Sequence, residues 1–415
     1  MPIDDYAALK DVPAADVLIS GTHAATLTRG QRDTITFRYD PTQLKLAGPV
    51  RTHSVSWSLP AGGDATPVVT TAGAVPAFFA GLLPEGVRLG AVVASTKTSI
   101  DDHLTLLIAV GSDTIGNVTV VPTGSTPEVV EPAVDVSKEV DFHSLSELLA
   151  VSLDVDPVAL SGVQPKVSTS RLTSTARSKS GAAILKLGPP QFPRIAENEH
   201  FFMTAARACG LRTADTEVVH DTEGRTALLV TRFDRTTNRK GDTHPIAQED
   251  ACQVLGLYPA AKYRLKTEQA ITGLARACAD GGGSAAAATL DLLTTVAFSW
   301  LIGNGDLHGK NLSIFAPDDF WQPTPAYDLL TTQPYSGWRD PMAMNLYGRA
   351  NRLTRTHFIE SGVRLGLRAR AVERMLTTLV AAFEPWPGRC GEIGFDDAAT
   401  ERLSALLEHR RTTLR

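Results

Sequence analysis

Near residue 247 the 415-residue chain changes its pattern of apolar residues, and no other feature constrains its fold as tightly. Ahead of that point lie short runs rich in β-branched residues and bounded by turn residues: Ala24-Ala25-Thr26-Leu27-Thr28, Asp33-Thr34-Ile35-Thr36-Phe37-Arg38-Tyr39, Val118-Thr119-Val120-Val121 and Ala182-Ala183-Ile184-Leu185-Lys186-Leu187. Such runs read as strands. Behind it, Gln269–Asp280, Ala285–Leu301, Ala369–Phe383 and Ala398–Arg410 read as helices. The class is therefore α+β, with a small strand-rich lobe ahead of a helical one.

A chain of this length exceeds what one core organises. Residues 1–123 are expected to form an α+β domain with helices near Pro76–Leu83 and Asp101–Val110. Residues 124–143, rich in Pro and acids, read as a linker. Residues 144–247 form the strand-rich lobe, opened by a helix over Ser144–Ser152, and 248–415 the helical lobe. The 43% hydrophobic and 20% charged composition is that of a globular protein, and a net charge of −5 lacks the basic excess of a general nucleic-acid binder. Arg410 and Arg411 read as part of a solvated helix end. Four cysteines without a C-x-x-C pair indicate neither a zinc site nor a disulfide framework. No stretch approaches the ~20 apolar residues of a membrane span, so a cytoplasmic protein is expected.

Chemistry concentrates in Gly303-Asn304-Gly305-Asp306-Leu307-His308-Gly309-Lys310-Asn311 and Pro325-Ala326-Tyr327-Asp328. The apolar run Val296–Ile302 is broken by Gly303 and Gly305, which places Asp306 on a loop. Phosphoryl transfer requires a carboxylate that orients the attacking hydroxyl and oxygen ligands that hold Mg²⁺. Asp306 and Asn311, at D-x-x-x-x-N spacing, suit those roles, and a hairpin through Leu312–Phe315 would return Asp328 beside Asn311 as a second metal ligand. Taken alone, this spacing suits turn capping better, because Asp, Asn and Gly are common loop residues.

The other parts of a kinase stand upstream in order. Ser161-Gly162-Val163-Gln164-Pro165-Lys166 is a turn whose backbone N–H groups suit phosphate. Lys186 sits within an apolar strand, either as a nucleotide lysine or as an outward-facing residue. Glu199, in the first turn of a helix over Glu197–Gly210, either pairs with that lysine or serves the helix dipole. The run ending Thr231-Arg232-Phe233 occupies the place of a hinge. Met342–Leu346 reads as an edge strand, and Gly281-Gly282-Gly283 as a flexible connection.

In this order the motifs resemble the HipA family of bacterial serine/threonine kinases, the toxins of HipBA-type toxin–antitoxin pairs. The resemblance extends through Gln248-Glu249-Asp250 and the N-terminal Phe78-Phe79-Ala80-Gly81-Leu82-Leu83-Pro84-Glu85-Gly86. It implies a bilobal kinase-like fold, ATP and Mg²⁺ as cofactors, and Asp306 as catalytic acid. It also implies that Asn311 and Asp328 hold the metal, that Lys186 contacts the phosphates, and that His308 and Lys310 line the γ-phosphate side. Ser161–Lys166 would be the phosphate loop and Thr231–Phe233 the adenine-facing hinge, with Gly309 and Tyr327 in the same nucleotide-facing set.

Two positions depart from the pattern. Ala159 replaces a serine whose autophosphorylation often switches the kinase off, leaving Ser161 as the candidate for that modification, and Thr231 stands where a glutamate is frequent. The implied partner is a HipB-like helix-turn-helix antitoxin that carries most of the DNA contact, and the implied substrate is a protein such as an aminoacyl-tRNA synthetase. Two alternatives stay open: a small-molecule phosphotransferase, since Gly305–His308 with Asn311 also resembles the aminoglycoside phosphotransferase loop, and a pseudokinase that acts by binding an antitoxin.

Overall fold

The computed structural model describes residues 6–46, 53–127, 132, 134–136, 138, 140–142, 171–178, 181–238, 243–318 and 320–415. The expected helix Ser144–Ser152, Ala159 and the loop Ser161–Lys166 lie outside the described residues.

The N-terminal domain is built on an antiparallel sheet of β1 (Ala14–Ile19), β2 (Thr22–Arg29), β3 (Ile35–Tyr39), β4 (Val68–Thr70) and β5 (Val118–Pro122), in the order β4-β3-β2-β1-β5. Strand alternation decides its inner face: Ile35, Phe37 and Tyr39 are buried, whereas Arg38 is exposed. Helices α1 (Ala77–Leu82), α2 (Gly86–Thr96) and α3 (His103–Val110) accompany the sheet, and α3 buries its run Leu104–Ile108. The Asp102 carboxylate caps α3 and receives Arg29 from β2 at 3.0 Å, which ties the helix to the sheet. Helix α2 was not anticipated, because Gly86, Gly90 and its β-branched residues weaken the local helical signal.

A second sheet runs β6-β7-β8-β10-β9, from β6 (Val134–Asp135), β7 (Leu172–Ser178), β8 (Gly181–Leu187), β9 (Thr216–His220) and β10 (Thr226–Thr231). Val134 and Asp135 pair in parallel with Ala176 and Arg177, so part of the expected linker is a sheet edge. Two residues are too few for alternation to show in sequence. Along β8, Ala183, Leu185 and Leu187 are buried in the sheet's own core, so period-two geometry directs Lys186 to the opposite face. Helix α4 (Ile195–Ala208) packs beside β9 and β10 and buries Phe201, Phe202 and Met203 in the core of the helical lobe.

A hairpin of β11 (Arg235–Thr237) and β12 (Thr243–Pro245) leads to β13 (Gln248–Asp250), which pairs with β14 (Ser313–Phe315) and, through it, β15 (Gln322–Pro323). The helices of this lobe are α5 (Ala251–Val254), α6 (Thr267–Asp280), α7 (Ala285–Ile302), α8 (Arg355–Arg364), α9 (Ala369–Ala382) and α10 (Asp397–Leu414). Contrary to expectation, α7 is long and apolar enough on its own to cross a membrane, yet 67% of it is buried inside the protein, as a core helix is. Gly281 and Gly283 are not merely flexible: a Cβ at either would lie within 2.4 Å of Trp321, which packs on this turn. Met342–Leu346 forms no strand; Met342, Met344 and Leu346 are buried in the lobe core, so packing overrides their extended pattern. Arg410 is not solvated either. Its guanidinium lies 5.1 Å from the Trp300 ring and donates to the Trp300 carbonyl, and burial lowers its pKa to about 10.

Candidate active site

Helix α7 ends at Gly303 with φ 76°, the left-handed conformation that glycine adopts at helix C-termini. In the turn that follows, the Asp306 N–H donates to Asn304 Oδ1 at 2.8 Å and the Gly305 N–H to Thr332 Oγ1 at 2.9 Å. A Cβ on Gly305 would meet Asp340 Oδ2 at 2.0 Å and Thr332 Oγ1 at 2.7 Å, so a larger residue here would displace the side chains that brace the turn. Asp306 is thus presented on a braced turn, with Oδ1 accepting from the Tyr263 hydroxyl at 2.9 Å. The single 3-10 turn Gly309–Asn311 comes next, anchored by the Gly309 N–H on the Lys262 carbonyl at 3.0 Å.

The β14–β15 hairpin returns the chain, and Asn311 Nδ2 donates to Asp328 Oδ2 at 2.8 Å while Asn311 Oδ1 accepts from the His308 N–H at 3.0 Å. Asp328 itself has φ 59°, an uncommon state for a non-glycine residue that clusters at functional sites. Its Oδ1 accepts from Lys186 Nζ at 2.9 Å, and Lys186 also donates to Glu199 Oε1 at 2.7 Å. The pairing role of Glu199, open in the sequence, is the one adopted. Arg171, which no sequence argument singled out, bonds the other Glu199 oxygen and lies 4.0 Å from Asp328 Oδ1. The result is a quartet of two cations and two carboxylates, in which Arg171 and Glu199 are buried and Lys186 and Asp328 partly so. Burial alone would raise the Asp328 pKa, but Lys186 and Arg171 hold it far below the usual carboxylate range.

His308 is 4% exposed, and neither ring nitrogen has a hydrogen-bond partner among the described residues. Burial, reinforced by Lys262, lowers its pKa to about 3, so the imidazole is neutral. Tyr263 meets the ring edge-on, 5.1 Å between centroids.

Beside the quartet opens a cleft of about 360 Å³ lined by Lys186, Thr231, Phe233, Lys310, Tyr327 and Asp328, with Glu85 and Arg88 contributed by the N-terminal domain. Two of the residues expected at the nucleotide, Arg232 and Lys310, line this cleft and are also paired with the N-terminal domain. The Arg232 guanidinium is bound by Asp113 at 2.9 Å, Asp234 at 2.8 Å and the Thr114 carbonyl at 2.9 Å, a buried network that joins the hinge to the N-terminal domain. The Lys310 amine forms an ion pair with Glu85 at 3.0 Å and donates to the Gly81 carbonyl at 3.1 Å, so at the edge of the cleft it is tied to the N-terminal domain.

At the hinge the Thr231 and Arg232 N–H groups are engaged by the carbonyls of Asp215 and Ala182, whereas the Phe233 N–H donates to no described residue. The Phe233 ring stands 5.6 Å from Tyr327, whose hydroxyl donates to the Lys310 carbonyl at 2.6 Å. Asp250, buried at the cleft, also escaped detection as a site residue; burial raises its pKa to about 6.

The profile of the family described as HipA-like C-terminal domain matches residues 158–386, and that of the HipA N-terminal domain matches residues 15–121. The chain belongs to the HipA family. Over 323 residues it is 31% identical to the Sinorhizobium fredii protein named "Putative kinase Y4mE", covering 73% of this chain and 76% of that protein. It is 27% identical over 297 residues to the Shewanella oneidensis serine/threonine-protein kinase toxin HipA, covering 66% and 67% of the two chains. A solved complex of Shewanella oneidensis HipA, HipB and its operator DNA contains a chain of the same fold, with TM-score 0.73, 21% identity, and 96% and 95% coverage. This HipA-family chain therefore shares the bilobal architecture across nearly its whole length.

Proposed function

We propose that this chain is an ATP- and Mg²⁺-dependent kinase that phosphorylates a serine or threonine hydroxyl of a cellular protein. One observation carries the reading: hydrogen bonds link Glu199, Lys186, Asp328 and Asn311, four residues from three distant segments. Asp306, steadied by Tyr263, would orient the acceptor hydroxyl and take its proton. Lys186 would neutralise phosphate charge, with Glu199 fixing its amine. Asn311 and Asp328 would hold Mg²⁺, which supplies charge neutralisation across the phosphates. The donor set fits that ion: Asp328 is anionic, and no group of three or more His, Cys, Asp or Glu among the described residues forms an all-protein cage. Magnesium commonly takes one or two protein ligands and completes its shell with phosphate and water. The wall formed by Phe233 and Tyr327 suits an adenine ring, and the Phe233 N–H is the hinge donor left for it.

A HipB-like antitoxin is the proposed partner, supported by the complex in which the structural relative was solved, and the chain's net charge of −5 leaves DNA contact mainly to that partner. Purified protein incubated with γ-labelled ATP and cell lysate should label a discrete protein band, and an aminoacyl-tRNA synthetase is the first target to test. Asp306→Asn should slow transfer by ~10³-fold while leaving the fold intact. Label confined to small molecules, or an unchanged rate in Asp306→Asn, overturns the reading.

A further inference from the structure

Among the described residues, three sets of charged contacts join the N-terminal domain to the kinase core, beside the bonds of Gln253 to the Phe78 carbonyl and of Tyr258 to the Val75 carbonyl. Asp113 binds Arg232 and Arg235 at the hinge; Ser56 and the Trp57 N–H bind Glu249 at 2.6 and 2.9 Å; and Glu85 binds Lys262 and Lys310. Of these, only the third touches the catalytic loop. Glu85 is the residue before α2, and its two oxygens divide between the two lysines: Oε1 lies 3.0 Å from Lys310 Nζ, and Oε2 accepts from Lys262.

These lysines hold the loop from two sides. Lys262 precedes Tyr263, whose hydroxyl bonds Asp306, and the Lys262 carbonyl accepts the Gly309 N–H. Lys310 precedes Asn311, and its own carbonyl accepts the Tyr327 hydroxyl beside Asp328. Side-chain exposure is 7% for Lys262 and 17% for Lys310, so without a shared anion two largely desolvated cations would face each other. Asp250, which caps α5 by accepting the Gln253 N–H at 2.9 Å, adds negative charge near Lys310, but among the described residues it forms no ion pair with Lys262, so Glu85 is the carboxylate that bridges the two lysines.

We propose that Glu85 is a positioning residue for phosphoryl transfer, clamping the catalytic loop through Lys262 and Lys310 so that the loop is competent only with the N-terminal domain docked. The inference rests on the kinase reading above, and it makes the first domain part of the active site.

Glu85→Gln preserves shape and removes the charge. The variant should lose ~10–100-fold in kcat, the scale of a misplaced catalytic group, with KM for ATP within about twofold. Amide hydrogen exchange of the peptide spanning 303–312 should rise about tenfold without nucleotide present. Ser56→Ala, which cuts a different interdomain bond, should leave both quantities near wild type. If Glu85→Gln does not fold, Glu85→Gln/Lys262→Met removes the surplus cation and carries the same readouts. Wild-type kcat and loop exchange in the Glu85 variant, or equal losses in Ser56→Ala, overturn the proposal. If the wild type labels no protein, the kinase reading fails, while the exchange measurement still decides whether Glu85 clamps the loop.

Discussion

Replacing Lys186 with Met probes the quartet most directly. Lys186 is 14% exposed and stands 2.7 Å from Glu199 and 2.9 Å from Asp328, which is itself 19% exposed. At an effective dielectric of about 20, each contact is worth about 6 kcal/mol before desolvation is counted. The net loss is smaller, for three reasons. Methionine relieves the cost of burying an ammonium, Arg171 remains 4.0 Å from Asp328, and a stranded carboxylate can take up a proton. Raising the Asp328 pKa from its ordinary 3.8 to 7 costs about 1.4 kcal/mol per unit, so protonation limits the penalty of the stranded carboxylate itself at pH 7 to near 4 kcal/mol; the stabilisation that its depressed pKa gave the wild type is lost as well and is offset by the relieved desolvation of Lys186.

The expected destabilisation is therefore about 2–4 kcal/mol at pH 7. Its pH dependence has a definite sign. In the wild type the Asp328 pKa is depressed, so its contribution is complete above 3.8 and is lost as pH falls through the folded value. In Lys186→Met the pKa lies above 3.8, so acid stabilises the variant relative to wild type. Urea unfolding followed by tryptophan fluorescence should show a gap that is largest at pH 7–8 and narrows by at least ~1 kcal/mol at pH 5. A gap that stays constant from pH 8 to pH 5 would refute the reasoning.

Other perturbations test neighbouring parts. His308→Phe removes two buried, unpartnered nitrogens, so unfolding free energy should hold or rise by up to ~1 kcal/mol while transfer falls at least about tenfold; loss of stability in parallel with activity would argue against a role at the reaction centre. With the imidazole pKa at about 3, the wild-type rate profile should show no inflection from this residue near 6.5, and an inflection there that vanishes in the Phe variant would contradict a neutral ring. Gly305→Ala drives a methyl into Asp340 and Thr332, so kcat should drop by about tenfold or more with a lowered melting temperature, and a wild-type rate would show that the turn is not braced there. Asp113→Ala leaves Arg232, whose side chain is 5% exposed, with Asp234 as its remaining anion; a loss of about 2–3 kcal/mol is expected, and an unchanged melting temperature would mean that the hinge network does not hold the domains.

Much of the site is legible in the sequence. Asp306, Asn311 and Asp328 lie within 23 positions of one another on a loop and hairpin whose glycines and short strands are local signals. Lys186 stood out because an ammonium in an apolar strand needs a partner. What the sequence did not offer was the identity of partners supplied by distant segments. Arg171 carries no pattern of its own, yet it shares Glu199 with Lys186. Tyr263 sits 43 positions before the carboxylate it holds, and Glu85 reaches Lys310 from another domain. The sequence likewise misjudged Arg410, Met342–Leu346 and the composition of α7, because solvation of a charged helix end, extension of an alternating run and the surroundings of an apolar helix depend on what packs against them.

The longer strands and helices, the break of α7 at Gly303 and the chemical repertoire of the catalytic loop follow from the sequence alone, since each depends on backbone preferences and side chains within a few residues. Tertiary structure decided which charges meet. It committed Arg232 and Lys310 to the N-terminal domain, joined Arg171 to the Lys186 quartet and buried His308 as a neutral ring. The physical reason is that charge pairing and desolvation act through space, at separations of a few ångströms that the distance along the chain does not determine.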